Sequence, residues 1–366
     1  MKKFTASVVG GGRGGKLSIE SLIKSDCYEI VAIADLSESV RKTWRDAIPG
    51  LKTFADYHEM FRTCPTDVVC VSTYSPSHEE ITRAAIDSGV KGLLVEKPLA
   101  HNSHSAAVLL QAIKAAKIPV VTPHNMWTLK FADEVYRRLK KGEIGQYLSM
   151  DIQIEMWDIS SAGVHWLNYF VKTIDNEPMD YLLAQCDGTT RTYREGMKVE
   201  TIGTIRGATK SGIRLTLESG DYVRPYGVDY SGEGDEISLI RIVGSTGMIE
   251  MYPWRKGYYI CNKEFPDGMF IVPEEYPVTW HQSVLEKLAG MIESGEHDYT
   301  ISESALTAVQ LVEAAFLSNR HHCMVKFPLS SFTPPEPSGW DVGTAYQGEE
   351  GRDGMNLPPK SPEAAY

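Results

Sequence analysis

Ala6-Ser7-Val8-Val9 runs into Gly10-Gly11-Gly12-Arg13-Gly14-Gly15 and then into an amphipathic stretch from Leu17 to Ile23; no other part of the chain limits its fold as tightly. Gly10, Gly12 and Gly15 satisfy G-x-G-x-x-G between a strand and a helix. Each glycine answers a steric demand: the first makes a tight turn, the second lets backbone approach a pyrophosphate, and the third permits close packing of helix on sheet. Backbone N–H groups at the helix start then face phosphate oxygens, with Arg13 beside them. A second strand, Tyr28 to Ala34, ends in Asp35, 20 residues after Gly15, where a carboxylate accepts hydrogen bonds from adenosine ribose hydroxyls. Asp35 repels a 2′-phosphate, and Leu36 and Ser37 offer it no positive charge. The expected cofactor is therefore NAD, with NADP the lesser alternative because Arg13, Arg41 and Lys42 are near in sequence.

Strand and helix patterns continue to alternate beyond Asp35, with helices near 39–47, 77–88 and 103–116 and strands at 67–72, 90–95 and 119–122. Such alternation predicts an α/β fold, an N-terminal doubly wound parallel sheet of the Rossmann type. After Thr122 the pattern changes. A helix near 131–140 and a turn at 141–145 lead into strands at 147–155, 201–206, 213–218 and 237–243, several alternating as in a sheet with one face covered. Helices at 282–294 and 303–318 follow, and the last 34 residues, from Thr333, are rich in Pro and Gly. The expected division is 1–122 for the dinucleotide domain, 123–332 for a C-terminal α+β domain, and 333–366 for an extension.

At 366 residues the chain is long enough for two ordinary cores, and its formal charge of −11 disfavours nucleic acid and anionic membranes as partners. No apolar run approaches the roughly 20 residues of a membrane span, and Met1-Lys2-Lys3 leads into a strand, so a cytoplasmic location is expected. The six cysteines show no paired C-x-x-C spacing, which predicts reduced thiols and no metal site. His321-His322 lacks a third ligand at a useful spacing.

Glu96-Lys97-Pro98 closes the apolar strand Val90 to Val95. Pro98 cannot donate to a ladder and restricts the residue before it, so Lys97 is held at the end of a buried strand. In the second half, Ser160-Ser161-Ala162-Gly163-Val164-His165-Trp166-Leu167-Asn168 carries a second titratable group. Removing hydride from a carbinol carbon requires the hydroxyl proton to leave. A histidine such as His165 suits that transfer, and a lysine can hydrogen-bond the same oxygen and stabilise developing charge. Asp158, seven residues before His165, either orients it from the same face of a helix or is a solvated strand end.

Taken in order, Val9 to Gly15, Asp35, Ser72-Thr73-Tyr74-Ser75-Pro76-Ser77-His78, Val95 to Ala100, Gly142-Glu143-Ile144-Gly145, Ala162-Gly163-Val164-His165 and the run from Ser302 to Ser318 resemble the Gfo/Idh/MocA superfamily, the relatives of glucose-fructose oxidoreductase and inositol dehydrogenase. The resemblance covers residues 3–329. It implies a C-terminal domain built on a large open, mostly antiparallel sheet that forms a homodimer or homotetramer, a sugar, glycoside or cyclitol substrate between the domains, and a cis bond at Lys97-Pro98. It further implies that Gly10, Gly12, Arg13, Gly15, Asp35, Thr73, Tyr74, His78, Glu96, Lys97 and Asn125 bind cofactor, although His78 also reads as a structural start to the helix after Pro76. Lys97, Trp127, Trp157, Asp158, Ser161, His165, Asn168 and His281 are implied to bind substrate, the aromatic faces suiting sugar rings, and His124 lies in the same stretch as Trp127. Relatives that oxidise alcohols have an aspartate four residues before the histidine and often an acid three after it. This chain has Ser161 and Asn168 there. The expected reaction is oxidation or reduction of a secondary alcohol. The alternatives are a glycosidase or lyase that oxidises transiently at C3, eliminates and returns the hydride, and a sensor without activity.

Overall fold

The computed structural model describes residues 3–187, 192–194, 197–221, 223–225, 238–278 and 280–329. The extension expected at 333–366 lies outside the described residues. In chain order the N-terminal half comprises β1 (Phe4–Val9), α1 (Arg13–Lys24), β2 (Tyr28–Ala34), α2 (Glu38–Ala47), β3 (Lys52–Phe54), α3 (Tyr57–Thr63), β4 (Val68–Val71), α4 (His78–Asp87), β5 (Gly92–Val95), α5 (Ser103–Ala115) and β6 (Val120–Val121). Its six strands lie in the order β3-β2-β1-β4-β5-β6, and every pairing is parallel. This is the doubly wound order in which a dinucleotide binds beyond the carboxyl ends of the strands, where the order reverses between β1 and β4.

A parallel sheet is covered on both faces, and the residues show it: Val68, Val69, Cys70 and Val71 are all fully buried. On one face Ile19 and Leu22 of α1 pack with Val8, Ile33 and Leu94. Full burial of such a side chain contributes about 1.5–3 kcal/mol, which anchors α1 and fixes where its N-terminus emerges. On the other face Leu109 and Ile113 of α5 pack with Val69, Leu93 and Val95.

The second half comprises α6 (Lys130–Lys140), β7 (Tyr147–Glu155), α7 (Val164–Thr173), β8 (Met179–Cys186), a small hairpin of β9 (Thr192–Arg194) and β10 (Met197–Val199), then β11 (Ile202–Thr209), β12 (Arg214–Gly220), β13 (Ser238–Gly244), β14 (Met248–Tyr252), β15 (Gly257–Cys261), β16 (Met269–Ile271), α8 (Trp280–Ser294), α9 (Thr300–His321) and β17 (Val325–Lys326). Nine strands form one sheet in the order β16-β15-β14-β13-β7-β12-β11-β8-β17. It is antiparallel except where β12 runs parallel to β7. Along β7, Met150, Ile152 and Ile154 are buried with Leu167 and Phe170 of α7 and Leu311 and Ala315 of α9, whereas Asp151, Gln153 and Glu155 are half-exposed on the opposite face. The strand-rich character expected after Thr122 is present, and β8 and β14 to β16 are strands that the sequence pattern did not single out.

The last two helices return to the first half. Leu285, Leu288 and Ala289 of α8 join the core above α1, Tyr28 Oη donates to the Leu285 carbonyl at 2.5 Å, and Ala305 and Val309 of α9 join the core beside α5. Among the described residues no helix is long and apolar enough to cross a membrane.

Candidate active site

The glycine loop meets its steric demands with room at one point. Gly10 has φ +89°, a conformation L side chains rarely adopt, and a Cβ there would lie 2.7 Å from the Ser72 carbonyl oxygen. A Cβ on Gly15 would lie 1.7 Å from the Gly10 carbonyl oxygen, whereas one on Gly12 would meet nothing within 4 Å. The second glycine of the motif thus borders open space at the N-terminus of α1, where Gly12 is the N-cap and has no side chain to cap it. Uncapped N–H groups and the helix dipole make an anion site, so the residues present fit a pyrophosphate.

Asp35 is engaged by the backbone around it. Its Oδ2 accepts from Gly11 N–H at 2.7 Å and its Oδ1 from Ser37 N–H at 2.8 Å, which ties the glycine loop to the end of β2. Each carboxylate oxygen keeps further acceptor capacity for a hydroxyl. Arg41 donates to the carbonyls of Asp35 (2.5 Å) and Leu36 (2.9 Å) and pairs with Glu38. Held this way, its charge is balanced locally instead of open to a 2′-phosphate.

Glu96 lies beneath the loop, where a Cβ on Gly14 would come within 3.6 Å of its Cγ. Glu96 and His281 are both nearly inaccessible and hydrogen-bond each other through Oε1 and Nε2. Burial opposes ionisation of Glu96, but the His281 charge and hydrogen bond, with Lys97, outweigh it and hold the carboxyl below its usual range. The pair joins the start of α8 to the floor of the cofactor cradle. His281 is thereby engaged beneath the cradle. His78 is also fully buried, with Nδ1 3.1 Å from the Pro98 oxygen and Nε2 2.9 Å from the Thr73 oxygen. It fastens the Thr73 turn to the Lys97-Pro98 loop, and its burial keeps it from touching a cofactor. Thr73 Oγ1 accepts from Ser77, and Tyr74 is exposed at the same turn.

Lys97 precedes a cis proline, and its Nζ donates to the Ser161 carbonyl at 3.1 Å. Ser161 belongs to a π-helical turn, Ile159–Gly163, that feeds directly into α7, so this bond brings the lysine of the first half to the segment that carries His165. His165 is half-buried; its Nδ1 accepts from Asn125 N–H across 3.4 Å, which assigns the proton of the neutral ring to Nε2. The ring of His124 meets it edge-on at 5.3 Å. Burial, then the Lys97 charge, then His124 and His281, hold the His165 pKa well below the ordinary histidine value. Burial and Lys97 also push His124 down, to about 3.

Other expected substrate contacts engage the protein itself. Asn168 is fully buried; its Oδ1 accepts from Trp127 Nε1 at 2.7 Å and its Nδ2 donates to Ser304 Oγ at 2.9 Å. Trp157 packs against the core of the second half. Asp158 is 1% exposed, not a solvated strand end, and its carboxylate binds Ser160 and Ser161 and not His165. Asp158 to Ser161 was legible as an N-cap pattern, a carboxylate three residues before a buried turn N–H. The pairing of Glu96 with His281 had no local signal. Among the described residues no group of three His, Cys, Asp or Glu side chains is gathered to hold a metal.

Residues 4–124 match the family model GFO_IDH_MocA, described as an oxidoreductase family with an NAD-binding Rossmann fold. The chain belongs to the Gfo/Idh/MocA oxidoreductases. It is similar to the inositol 2-dehydrogenase of Pseudomonas syringae pv. syringae (strain B728a), 26% identical over 262 residues that make up 67% of this chain and 73% of that enzyme. It is also similar to the inositol 2-dehydrogenase of Azotobacter vinelandii, 30% identical over 239 residues, 61% of this chain and 66% of that one. The fold matches a solved oxidoreductase from Agrobacterium radiobacter in complex with NAD+, L-tartaric acid and magnesium, with a TM-score of 0.73 and 18% identity across 89% of this chain and 98% of that one. This Gfo/Idh/MocA oxidoreductase binds NAD.

Its buried histidines make its folding pH-dependent. His78, His124 and His165 are held below the ordinary value of 6.5 chiefly by burial, so below that pH the unfolded chain binds protons that the folded chain does not. Stability is then present above about pH 6.5 and lost on acidification, by about 1.4 kcal/mol per pH unit for each such ring until its folded pKa is reached. The depressed Glu96 adds loss in the same direction at lower pH. The urea midpoint is expected to fall clearly from about pH 7.5 to about 5.5. An unchanged midpoint would mean that the rings are solvated in the folded state.

Proposed function

We propose that this enzyme oxidises or reduces a secondary alcohol of a sugar, glycoside or cyclitol, with Lys97 binding the reacting oxygen and His165 exchanging its proton. The observation that carries the proposal is the Lys97 to Ser161 hydrogen bond, which joins the lysine at the end of β5 to the turn leading into His165. The inositol 2-dehydrogenase activity of the two relatives supports a cyclitol or a closely similar polyol. Bound NAD supplies the hydride acceptor or donor.

The chain's own residues account for the rest. Lys97 donates to the substrate oxygen and stabilises the negative charge that grows on it as its proton leaves. His165, kept neutral by burial and by the Lys97 charge, is available to accept or return that proton. With Nδ1 engaged by Asn125, the resting neutral ring carries its proton on Nε2; in the reductive direction the imidazolium gives its Nε2 proton to the substrate oxygen and returns to the neutral ring. Oxidation starts from the other tautomer, reached by breaking that long contact. The half-exposed outer face of the nine-stranded sheet supports the expected homodimer or homotetramer.

The test is to add inositols, hexoses and glycosides to the protein with NAD and follow NADH. One NADH per substrate oxidised, with deuterium moving from the carbinol carbon onto free NADH, is the expected result. Aglycone release without NADH accumulation would instead establish the hydride-returning glycosidase or lyase.

A further inference from the structure

We infer that Asp158 is a positioning residue for Lys97, its buried carboxylate fixing Ser161 so that the Ser161 carbonyl holds the lysine amine. The inference rests on the reading of Lys97 as the group that binds the reacting oxygen.

A carboxylate removed from water must be compensated by donors, and three donors that the described residues give Asp158 converge on one turn. Oδ1 accepts from Ser160 Oγ at 2.9 Å and from Ser161 N–H at 2.5 Å, and Oδ2 accepts from Ser161 Oγ. The Asp158 carbonyl accepts from Gly163 N–H at 2.8 Å, closing the turn, and Ile159 N–H donates to the buried Glu200 carboxylate. Ser160 and Ser161 are themselves 4% and 2% exposed. One side-chain bond suffices to cap a helix start; here three meet on one carboxylate, two of them from the same serine.

The consequence lies in what is left of Ser161. With its N–H and its hydroxyl both directed at Asp158, its orientation is set, and its carbonyl is the polar group turned outward to Lys97 Nζ at 3.1 Å. A lysine carries three donors on a flexible four-carbon stem, so an acceptor held in one place narrows where the amine sits before substrate arrives. The turn is π-helical, a geometry that concentrates at functional sites, and two residues past its end is His165 on α7. A single carboxylate thus fixes the segment that touches the lysine and leads into the histidine.

The test reads the lysine directly, without cofactor or substrate. The full-length protein is labelled with limiting acetic anhydride, and acetylation at Lys97 is measured by peptide mass spectrometry relative to exposed Lys24. A hydrogen bond to the charged amine lowers its reactivity, and losing one of ordinary strength corresponds to about two- to tenfold. Asp158→Ala is expected to raise Lys97 labelling by that factor. Asp158→Asn, which keeps an acceptor for Ser160 and Ser161 N–H and can donate to Ser161 Oγ, is expected to stay near the parent. Unchanged labelling in a folded Asp158→Ala protein overturns the inference, as does an equal rise in Asp158→Asn, which would mean that Asp158 acts by charge alone. If the alanine variant does not fold, Ser161→Ala, which removes one of the three bonds, carries the test, with a smaller rise expected and no change overturning it. Turnover of an inositol by Lys97→Met separates the two readings. Full activity there removes the lysine from the chemistry whatever the labelling shows, whereas an inactive Lys97→Met with unchanged labelling in the Asp158 variants removes only the positioning role.

Discussion

Lys97→Ala and His165→Ala are each expected to lower turnover by about 10² or more, the range for a lost general acid/base or a lost electrostatic contact to a developing oxyanion, with NAD affinity nearly unchanged. The reason for the split is spatial. The proposed cradle lies at Gly10, Gly12, Gly15 and Asp35 at the ends of β1 and β2, whereas Lys97 reaches the Ser161 turn that leads into His165. Neither side chain is fully buried, so neither truncation opens a large cavity. Stopped-flow turnover beside calorimetric NAD binding checks both halves. Full activity in either variant removes that residue from the mechanism. Lys97→Ala carries a second signature: because the Lys97 charge helps depress His165, the acid limb of the residual pH–rate profile should move upward, toward ordinary histidine values.

What could be read from the chain alone depended on range. The glycine loop and Asp35 were legible because hard-sphere sterics and a fixed strand-to-strand distance impose them locally, and the alternation of strand and helix up to Thr122 carried the parallel sheet with it. Lys97 and His165 were singled out by residue type and flanking pattern. What they touch was not. Glu96 and His281 are 185 residues apart, and no periodicity in either segment tells that α8 returns to the first core. Asn168 illustrates the same limit: a polar residue three positions after His165 suggests a substrate contact, yet packing of α7 against α9 puts Ser304 and Trp127 on its amide. The strands β14 to β16 were missed because each is five residues or fewer, too short for alternation to stand out against the turns between them.

The glycines of the loop are expected to separate folding from cofactor binding. In Gly15→Ala the new methyl would lie 1.7 Å from the Gly10 carbonyl oxygen, and the atom in the way is backbone, not the end of a side chain. Either α1 lifts from the sheet, exposing part of the Ile19 and Leu22 packing, or the Gly10 turn changes and takes the Ser72 contact with it. Overpacking of this kind costs about 1–3 kcal/mol or more, and the cradle is distorted in both cases. Gly15→Ala should therefore lose thermal stability and NAD binding together. Gly12→Ala is the contrast: its methyl meets no protein atom within 4 Å, so melting of the protein alone should be almost unchanged. That methyl instead projects into the open space where the backbone must approach a pyrophosphate, and NAD affinity should fall at least tenfold, a difference of about 1.4 kcal/mol. Differential scanning fluorimetry of both variants, with and without NAD, makes the comparison. If Gly12→Ala retained parent NAD affinity, the open space beside Gly12 would not be the phosphate site, and the cradle would have to be sought elsewhere along the ends of β1 and β4.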